Sequence, residues 1–510
     1  MNKKDLILAL TSGLLLCLSF PRANLDILIW IALVPLLSTI RDKDFPNAFH
    51  VGFIAGLLYN AGLVYWIVYV VAHYGHLPLY AGISVMFLLV IYLSIYPALF
   101  CLGVAYFLKR GFRAVLIAPP LWTVLEYVKA HLFSGFPWED LAYSQHGHLL
   151  LIQIADITGP YGITFLIVLV NCIVYDCMSA FFPQPWGKRK FPMSEIVVGA
   201  VLIVLVVGYG MYRIDTLKDA EKNLDPVSVR IVQGNIDQSV KWTPAFQTKT
   251  LDIYRNMSVD ASKKDVSLIV WPETAAPFYF QNHDELSRGV IDVTRDAGAW
   301  LLFGSPSYER EGDRVSFYNS AYLLSPTGCV AGRYDKVHLV PFGEYVPLQR
   351  ILFFINKLVA GAGDFKPGGG IIPLAMGDNM IGPLICYEAI FPEISREHRL
   401  RGAELLVNIT NDAWYGNTSA PYQHLTIAIF RAIENRTYLI RAANTGISAI
   451  VNPTGEIVSR TGLFERKVLD GTVKFTRHHT LYSRYGNMFA CFCIGFLLMV
   501  LLVSLGRKKR

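Results

Sequence analysis

Ile381-Gly382-Pro383-Leu384-Ile385-Cys386-Tyr387-Glu388 is the stretch on which the reading of this chain turns. Its apolar run reads as a buried strand, and it stops abruptly at a thiol flanked by Tyr387 and Glu388. In α/β proteins the carboxyl ends of strands are where the backbone leaves the sheet and side chains meet a crevice. A lone cysteine after an apolar run is most often an inert core residue. Two upstream apolar runs change that reading, because they also finish in ionisable residues, at Trp271-Pro272-Glu273 and Tyr334-Asp335-Lys336. A carboxylate, an ammonium and a thiol are the groups that acyl transfer through a cysteine requires.

Each residue alone has a plainer role. A single Glu is most often a solvated loop carboxylate, and a single Lys a surface charge. Pro272, however, has no N–H and favours an extended residue before it, so it ends the strand and fixes where Glu273 points. Lys336 sits among apolar residues in Arg333-Tyr334-Asp335-Lys336-Val337-His338-Leu339-Val340-Pro341-Phe342-Gly343-Glu344, with Glu344 as a partner. A thiol becomes a thiolate near neutral pH only with help from a base or a cation. Its attack on a carbonyl builds an oxyanion that an ammonium or backbone N–H stabilises. The combination predicts Cys386 as nucleophile, Glu273 as base and Lys336 as oxyanion partner.

Residues 220–480 have the rhythm of a soluble α/β domain. Val227-Ser228-Val229-Arg230-Ile231 alternates as a half-buried strand does. Further short apolar runs occur at 268–271, 300–303, 321–324, 384–386 and 405–409. Ser325-Pro326-Thr327-Gly328 and Asn452-Pro453-Thr454-Gly455 read as tight turns of hairpins. Residues 426–439 (TIAIFRAIENRTYL) read as a helix. No low-complexity tract and no long repeat is evident.

The chain as a whole is too apolar for a soluble protein. Of its 510 residues 53% are hydrophobic and 17% charged, with mean hydropathy +0.39. Apolar segments at about 6–20, 25–40, 51–72, 80–108, 112–131, 161–181, 195–213 and 487–506 predict eight transmembrane helices. The first is signal-like but lacks a convincing cleavage site and is read as retained. With Lys3-Lys4 in the cytoplasm, the basic clusters at 41–43, 109–113, 188–190 and 507–510 all fall on that side, as the positive-inside rule requires. The expected organisation is a membrane domain of seven helices over 1–215, an extracytoplasmic domain over 220–480 and the eighth helix over 487–506. Glu126 and Lys129 lie within an apolar segment and read as either an internal polar site or an ion pair. The net charge of +7 is dispersed in small clusters, which gives nucleic-acid binding little support. The eight cysteines show no metal-ligand spacing, and neither a disulfide framework nor a metal is expected.

Trp271-Pro272-Glu273, Lys336 in KVHLVPFGE and Cys386-Tyr387-Glu388, in that order, resemble the Glu-Lys-Cys triad of the nitrilase superfamily. With the apolar segments around them, the chain as a whole resembles its membrane-embedded branch, the apolipoprotein N-acyltransferases. Gln233-Gly234-Asn235-Ile236, Asn411-Asp412-Ala413-Trp414-Tyr415-Gly416, the run Arg441–Ser448, and Phe136-Pro137-Trp138-Glu139 with Tyr143-Ser144-Gln145 extend the likeness. The resemblance implies a nitrilase-like α-β-β-α sandwich in addition to the helical membrane domain. It implies Glu344, Tyr387 and Glu388 as active-site support, and Trp242 and Trp414 as substrate-contacting. It further implies acyl transfer from a phospholipid, phosphatidylethanolamine or similar, through a Cys386 thioester to the α-amino group of an S-diacylglyceryl-cysteine apolipoprotein. No cofactor is implied; a monomer in the bacterial inner membrane is expected. Residues 348–359 (LQRILFFINKLV), flanked by Gly361-Ala362-Gly363 and Gly368-Gly369-Gly370, are a candidate lipid-contacting arm or an ordinary buried helix. The rival functions are a membrane-anchored amidase that passes the acyl group to water, and a non-catalytic scaffold or transporter.

Overall fold

The computed structural model describes residues 1–41, 43–181, 191–259, 266–345 and 365–506. The 348–359 arm lies outside the described residues. The chain divides into two compact units. One comprises Met1–Val68, Leu79–Asp215 and Tyr485–Arg510, the other Tyr69–Pro78 and Thr216–Arg484.

The second unit is built on two six-stranded mixed sheets. The first uses β1 (Val227–Gln233), β2 (Leu268–Val270), β3 (Trp300–Glu311), β4 (Arg314–Leu324) and β5 (Val330–Asp335), and is completed by the late strand Lys467–Val473. The second uses β6 (Leu374–Met376), β7 (Asn379–Ile385), β8 (Leu405–Thr410), β9 (Leu439–Ala443), β10 (Ala449–Val451) and β11 (Ile457–Arg460); the late strand Lys467–Val473 is β12. Their orders are β12-β1-β2-β3-β4-β5 and β11-β10-β9-β8-β7-β6. β1, β2 and β3 run parallel, as do β7, β8 and β9, so the ends of these strands point into loops on one edge of each sheet.

Alternation along the strands separates two cores. Leu268 and Val270 turn toward the layer between the sheets, where they join Ile231, Leu302, Ile385, Val407 and Ile440. Ile269 turns the other way, to a second core with Leu251 and Tyr254 of helix Pro244–Ser258 and Val290 and Val293 of helix Glu285–Ala297. Helices Pro392–Leu400 and Ala420–Asn435 accompany the second sheet, which gives the α-β-β-α layering of nitrilase-like proteins. Both expected hairpins form. Gly328 (φ +86°) donates to the Ser325 carbonyl and Gly455 (φ +84°) to that of Asn452, each in the left-handed region that glycine favours. The helix expected over 426–439 is displaced. It starts at Ala420 and ends at Asn435, because Arg436 turns left-handed (φ +49°) and Leu439 already belongs to β9.

The first unit is helical. Among the described residues five helices are long and apolar enough to cross a membrane: Phe45–Val64, Leu79–Leu108, Tyr161–Phe181, Met193–Glu221 and Met488–Gly506. The other three expected spans take different forms. Lys3–Leu18 is 16 residues long, the second is broken into Asp26–Trp30 and Val34–Ile40, and Ala114–His131 carries Pro119, Pro120 and charged residues. The third helix stops at Val64 rather than running to residue 72, and a π-helical turn covers Val70–Tyr74. Glu126 and Lys129 do not pair with each other. Glu126 accepts from Trp122, from the Leu141 N–H and from Thr164, while Lys129 lies 2.7 Å from Asp140.

Candidate active site

Three chain segments that leave the sheets bring Glu273, Lys336 and Cys386 into one buried patch. β2 ends at Val270, and the Trp271 N–H pairs with the Leu302 carbonyl before Pro272 turns the chain. Thr274 then takes a left-handed φ of +48°. This turn lies hard against Gly304 of β3, where a Cβ would fall 2.7 Å from the Glu273 Cα, so only glycine fits there. Glu273, 7% exposed, is oriented by two donors. Asn319 Nδ2 donates to Oε1 (2.8 Å) and the Asn411 N–H to Oε2 (2.9 Å), which leaves little freedom to the carboxylate.

Lys336 follows β5 directly, and its N–H donates to the Asn319 carbonyl (2.9 Å). Its ammonium is buried, 3.9 Å from Glu273 Oε1 and 2.9 Å from Glu344 Oε2. Asn319 Nδ2 also donates to Glu344 Oε1 (2.9 Å), and the Val340 N–H to Glu344 Oε2 (2.8 Å). Burial works against the Lys336 charge, but Glu344, Glu273 and Cys386 outweigh it and raise its proton affinity. Lys336 is therefore a fixed cation held between two carboxylates.

Cys386 follows β7 directly, as the first residue of a short 3-10 turn, with a left-handed φ of +53°. Such a bend lifts a side chain out of the strand line, and a non-glycine residue held there marks a position imposed by its surroundings. Asn408 Nδ2 (3.4 Å) and a His424 ring nitrogen (3.2 Å) lie on the Cys386 carbonyl. Behind them, Asp412 contacts Arg441 (2.7 Å), His424 (3.1 Å) and the Thr410 hydroxyl (3.0 Å). Although burial opposes its charge, Arg441 and His424 hold the Asp412 carboxyl well below the usual range. Burial pushes the Cys386 thiol up, Glu273 adds to this, and Lys336 opposes it.

Glu388 ties the walls of the patch together. Oε1 accepts from the Tyr334 hydroxyl (2.9 Å) and the N–H groups of Val337 (2.7 Å) and His338 (3.2 Å), and Oε2 from the Ile385 N–H (2.7 Å). One buried carboxylate thus joins the Lys336 segment to the Cys386 bend. Burial pushes this carboxyl up to about 7, against the pull of its donors and Lys336. Tyr387 is buried, with its ring 5.1 Å from Phe391 and 5.9 Å from His338.

The two tryptophans lie on separate loops. Trp414 is partly exposed in the turn Asp412–Tyr415 and meets Tyr74 edge-on at 4.8 Å, while the Tyr74 hydroxyl donates to the Ala413 carbonyl. Trp242 is partly exposed just before helix Pro244–Ser258. Its neighbour Lys241 is fully buried and donates to the Glu273 carbonyl (3.2 Å) and the Thr274 hydroxyl (2.8 Å). Burial pulls Lys241 down to about 7, with Glu273 opposing. Lys241, Asn319 and the Asp412–Arg441–His424 group escaped the sequence reading. Lys241 stands beside Trp242, and Asp412 and Arg441 each lie in a quoted motif; Asn319 and His424 had no such signal. Among the described residues no group of three or more His, Cys, Asp or Glu is placed to hold a metal.

The family of carbon-nitrogen hydrolases matches residues 228–479, the segment that carries this patch. The apolipoprotein N-acyltransferase N-terminal domain matches residues 12–173. An apolipoprotein N-acyltransferase of Geobacter metallireducens is 45% identical over 99% of this chain and 96% of its own length. The chain belongs to the apolipoprotein N-acyltransferase family. A Methylococcus capsulatus member is 33% identical over 99% of this chain and 97% of its own length. Among solved structures, a nitrilase-superfamily amidase of Nesterenkonia AN1 is 22% identical, covering 52% of this chain and 97% of its own, with TM-score 0.40. As a family member the chain is an acyltransferase of the nitrilase superfamily. Lipoprotein N-acylation is the reaction of its family.

Proposed function

We propose that this chain acylates the α-amino group of S-diacylglyceryl-cysteine apolipoproteins, taking the acyl chain from a phospholipid such as phosphatidylethanolamine through a Cys386 thioester. The observation that carries this reading is the placement of a buried, two-point-anchored Glu273 and a fixed Lys336 cation around a thiol at a strained strand end. As Cys386 Sγ attacks the ester carbonyl, its proton passes to Glu273. The carbonyl oxygen becomes an oxyanion that the Lys336 ammonium stabilises. The tetrahedral intermediate collapses, the C–O bond breaks, and Glu273 returns the proton to the departing glycerol oxygen of a lysophospholipid. In the second half the acceptor amine attacks the thioester carbonyl and gives its proton to Glu273. The C–S bond breaks, and that proton restores the thiol. Glu344 fixes Lys336, Glu388 joins the two segments, and Tyr387, Trp242 and Trp414 serve the walls of the substrate path.

The membrane part of the proposal keeps eight crossings, with both termini in the bacterial cytoplasm and residues 220–480 as an extracytoplasmic catalytic domain. The seven-helix segment 1–215 and the helix over 487–506 anchor it. Five helices of spanning length and the one-sided basic clusters support this arrangement. An acyl chain costs about 0.8 kcal/mol per CH₂ to expose to water, so an enzyme that moves such chains gains by working at the bilayer surface. The deciding experiment incubates the enzyme with phospholipid carrying a labelled acyl chain and a diacylglyceryl lipopeptide. Label in an amide on the peptide supports the reading; label released only as free fatty acid makes the protein a hydrolase.

A further inference from the structure

An apolar groove with a basic mouth is built into the helical unit. Helices Leu79–Leu108, Ala114–His131 and Met488–Gly506 enclose a cavity of about 560 Å³, lined by Leu99, Leu102, Leu121, Leu498 and other apolar side chains. That volume lies within the range of small-molecule sites. Leu498 is 56% exposed, so the cavity is an open groove rather than a sealed void. One end is closed by the rings of Phe45 and Tyr106, 6.1 Å apart.

Two cations sit on that aromatic end. Lys109 Nζ lies 4.7 Å from the Phe45 ring centre, and the Arg110 guanidinium 3.9 Å from that of Tyr106. Among the described residues neither is within ion-pair distance of a carboxylate, and Arg110 Nε is buried without a hydrogen-bond partner. Asp44 is close enough to interact with the Lys109 charge, but its carboxylate is engaged by the Asn47 N–H (3.1 Å). Along the helix, Leu99 to Lys109 spans about 15 Å at 1.5 Å per residue. That is about half the hydrocarbon thickness of a bilayer, the depth of a single leaflet. The groove therefore offers the length of one acyl chain, with two cations at its mouth that no carboxylate among the described residues pairs directly. Basic pockets between membrane helices are where anionic headgroups bind.

We propose that this groove holds one acyl chain of an anionic glycerophospholipid, whose phosphate rests on Lys109 and Arg110. The leaflet, the cytoplasmic one, follows from the proposed orientation of the chain; the binding itself does not depend on it. The test titrates the purified full-length protein in detergent with phosphatidylglycerol or phosphatidylcholine of identical chains, read by native mass spectrometry. Each basic side chain at an anionic lipid is worth about fivefold, so wild type should favour phosphatidylglycerol by about thirtyfold. Lys109→Gln with Arg110→Gln should reduce phosphatidylglycerol to the level of phosphatidylcholine. Leu498→Trp, which fills the exposed groove, should weaken both lipids. Fold is checked by the thermal unfolding midpoint of each variant, and the single Lys109→Gln replaces the double variant if that midpoint collapses. Equal binding of both lipids by wild type, or a preference that survives removal of the charge, overturns the proposal. A lipid preference in a protein that never acylates Cys386 would leave this site standing and sink the catalytic reading instead.

Discussion

Asn319 and the Asn411 N–H donate to the two oxygens of Glu273, so this carboxylate is presented in one orientation, as a proton acceptor in a cysteine mechanism must be. Glu273→Gln keeps the shape and loses the proposed base, and acyl-enzyme formation near neutral pH should fall by about 10²–10⁴. Glu273 is also one of the charges that push the Cys386 thiol up. Its removal lets thiolate form at lower pH, so the rate of this variant should recover as pH rises. Lys336→Ala has the opposite sign: it removes a charge that lowers the thiol, along with the oxyanion partner, and its loss of about 10²–10³ should recover less. Rates of acyl-enzyme formation against pH for both variants check this, and wild-type acylation by Glu273→Gln at neutral pH would refute the assignment. Lys241 carries a separate prediction about stability. Its folded proton affinity lies near 7 and its unperturbed value is 10.5, so between those pH values the unfolded chain binds more protons. Stability contributed through Lys241 should therefore grow from about pH 7 to 10.5, by at most ~1.4 kcal/mol per pH unit. Lys241→Met should lack this slope in thermal unfolding; parallel pH profiles would contradict it.

At the scale of elements, the strand ends were legible because an apolar run that stops at an ionisable residue marks the point where the chain leaves the sheet interior. β5 ends at Asp335 and β7 at Ile385, each one residue before the group the sequence singled out. What joins those ends was not legible. Glu388 reads as a polar neighbour of the nucleophile, yet its four donors come from segments 50 or more residues upstream and from Ile385 itself. Pairing across such separations leaves no periodic trace. The helix expected over 426–439 failed for a related reason: no propensity signals the left-handed Arg436 that ends it, and β9 claims Leu439 through its pairing with β8. Glu388→Ala should orphan the buried Ile385 N–H and Tyr334 hydroxyl, at about 1–3 kcal/mol each, together with the part-buried N–H groups of Val337 and His338, and lower thermal stability together with activity. Glu388→Gln should be nearly as harmful, because its amide must place an NH₂ against a donor. Unfolding temperatures of both variants test this; an unaltered midpoint for Glu388→Ala would remove the bridging role.

For the whole molecule, family and reaction were legible because the motifs occur in order along the chain, while the helical half was read only in outline. Hydropathy found apolar runs but not the break between Trp30 and Val34 or the early end of the third helix at Val64. Neither break changes the mean hydropathy of its window enough to be seen. The proposed orientation has a native reporter in Cys329, an exposed free cysteine in the 220–480 segment. A membrane-impermeant maleimide should label Cys329 from the extracytoplasmic side without opening the cytoplasmic face, and labelling only after opening it would invert the topology. The central claim is that one acyl chain rests on one sulfur between two half-reactions. Intact-mass analysis of protein incubated with phospholipid and no acceptor addresses it most directly. The account predicts a single added acyl mass on the peptide bearing Cys386, removed by hydroxylamine, discharged by a diacylglyceryl lipopeptide and absent from Cys386→Ala. An adduct that persists in Cys386→Ala, or wild-type turnover with no adduct at any stage, would contradict it.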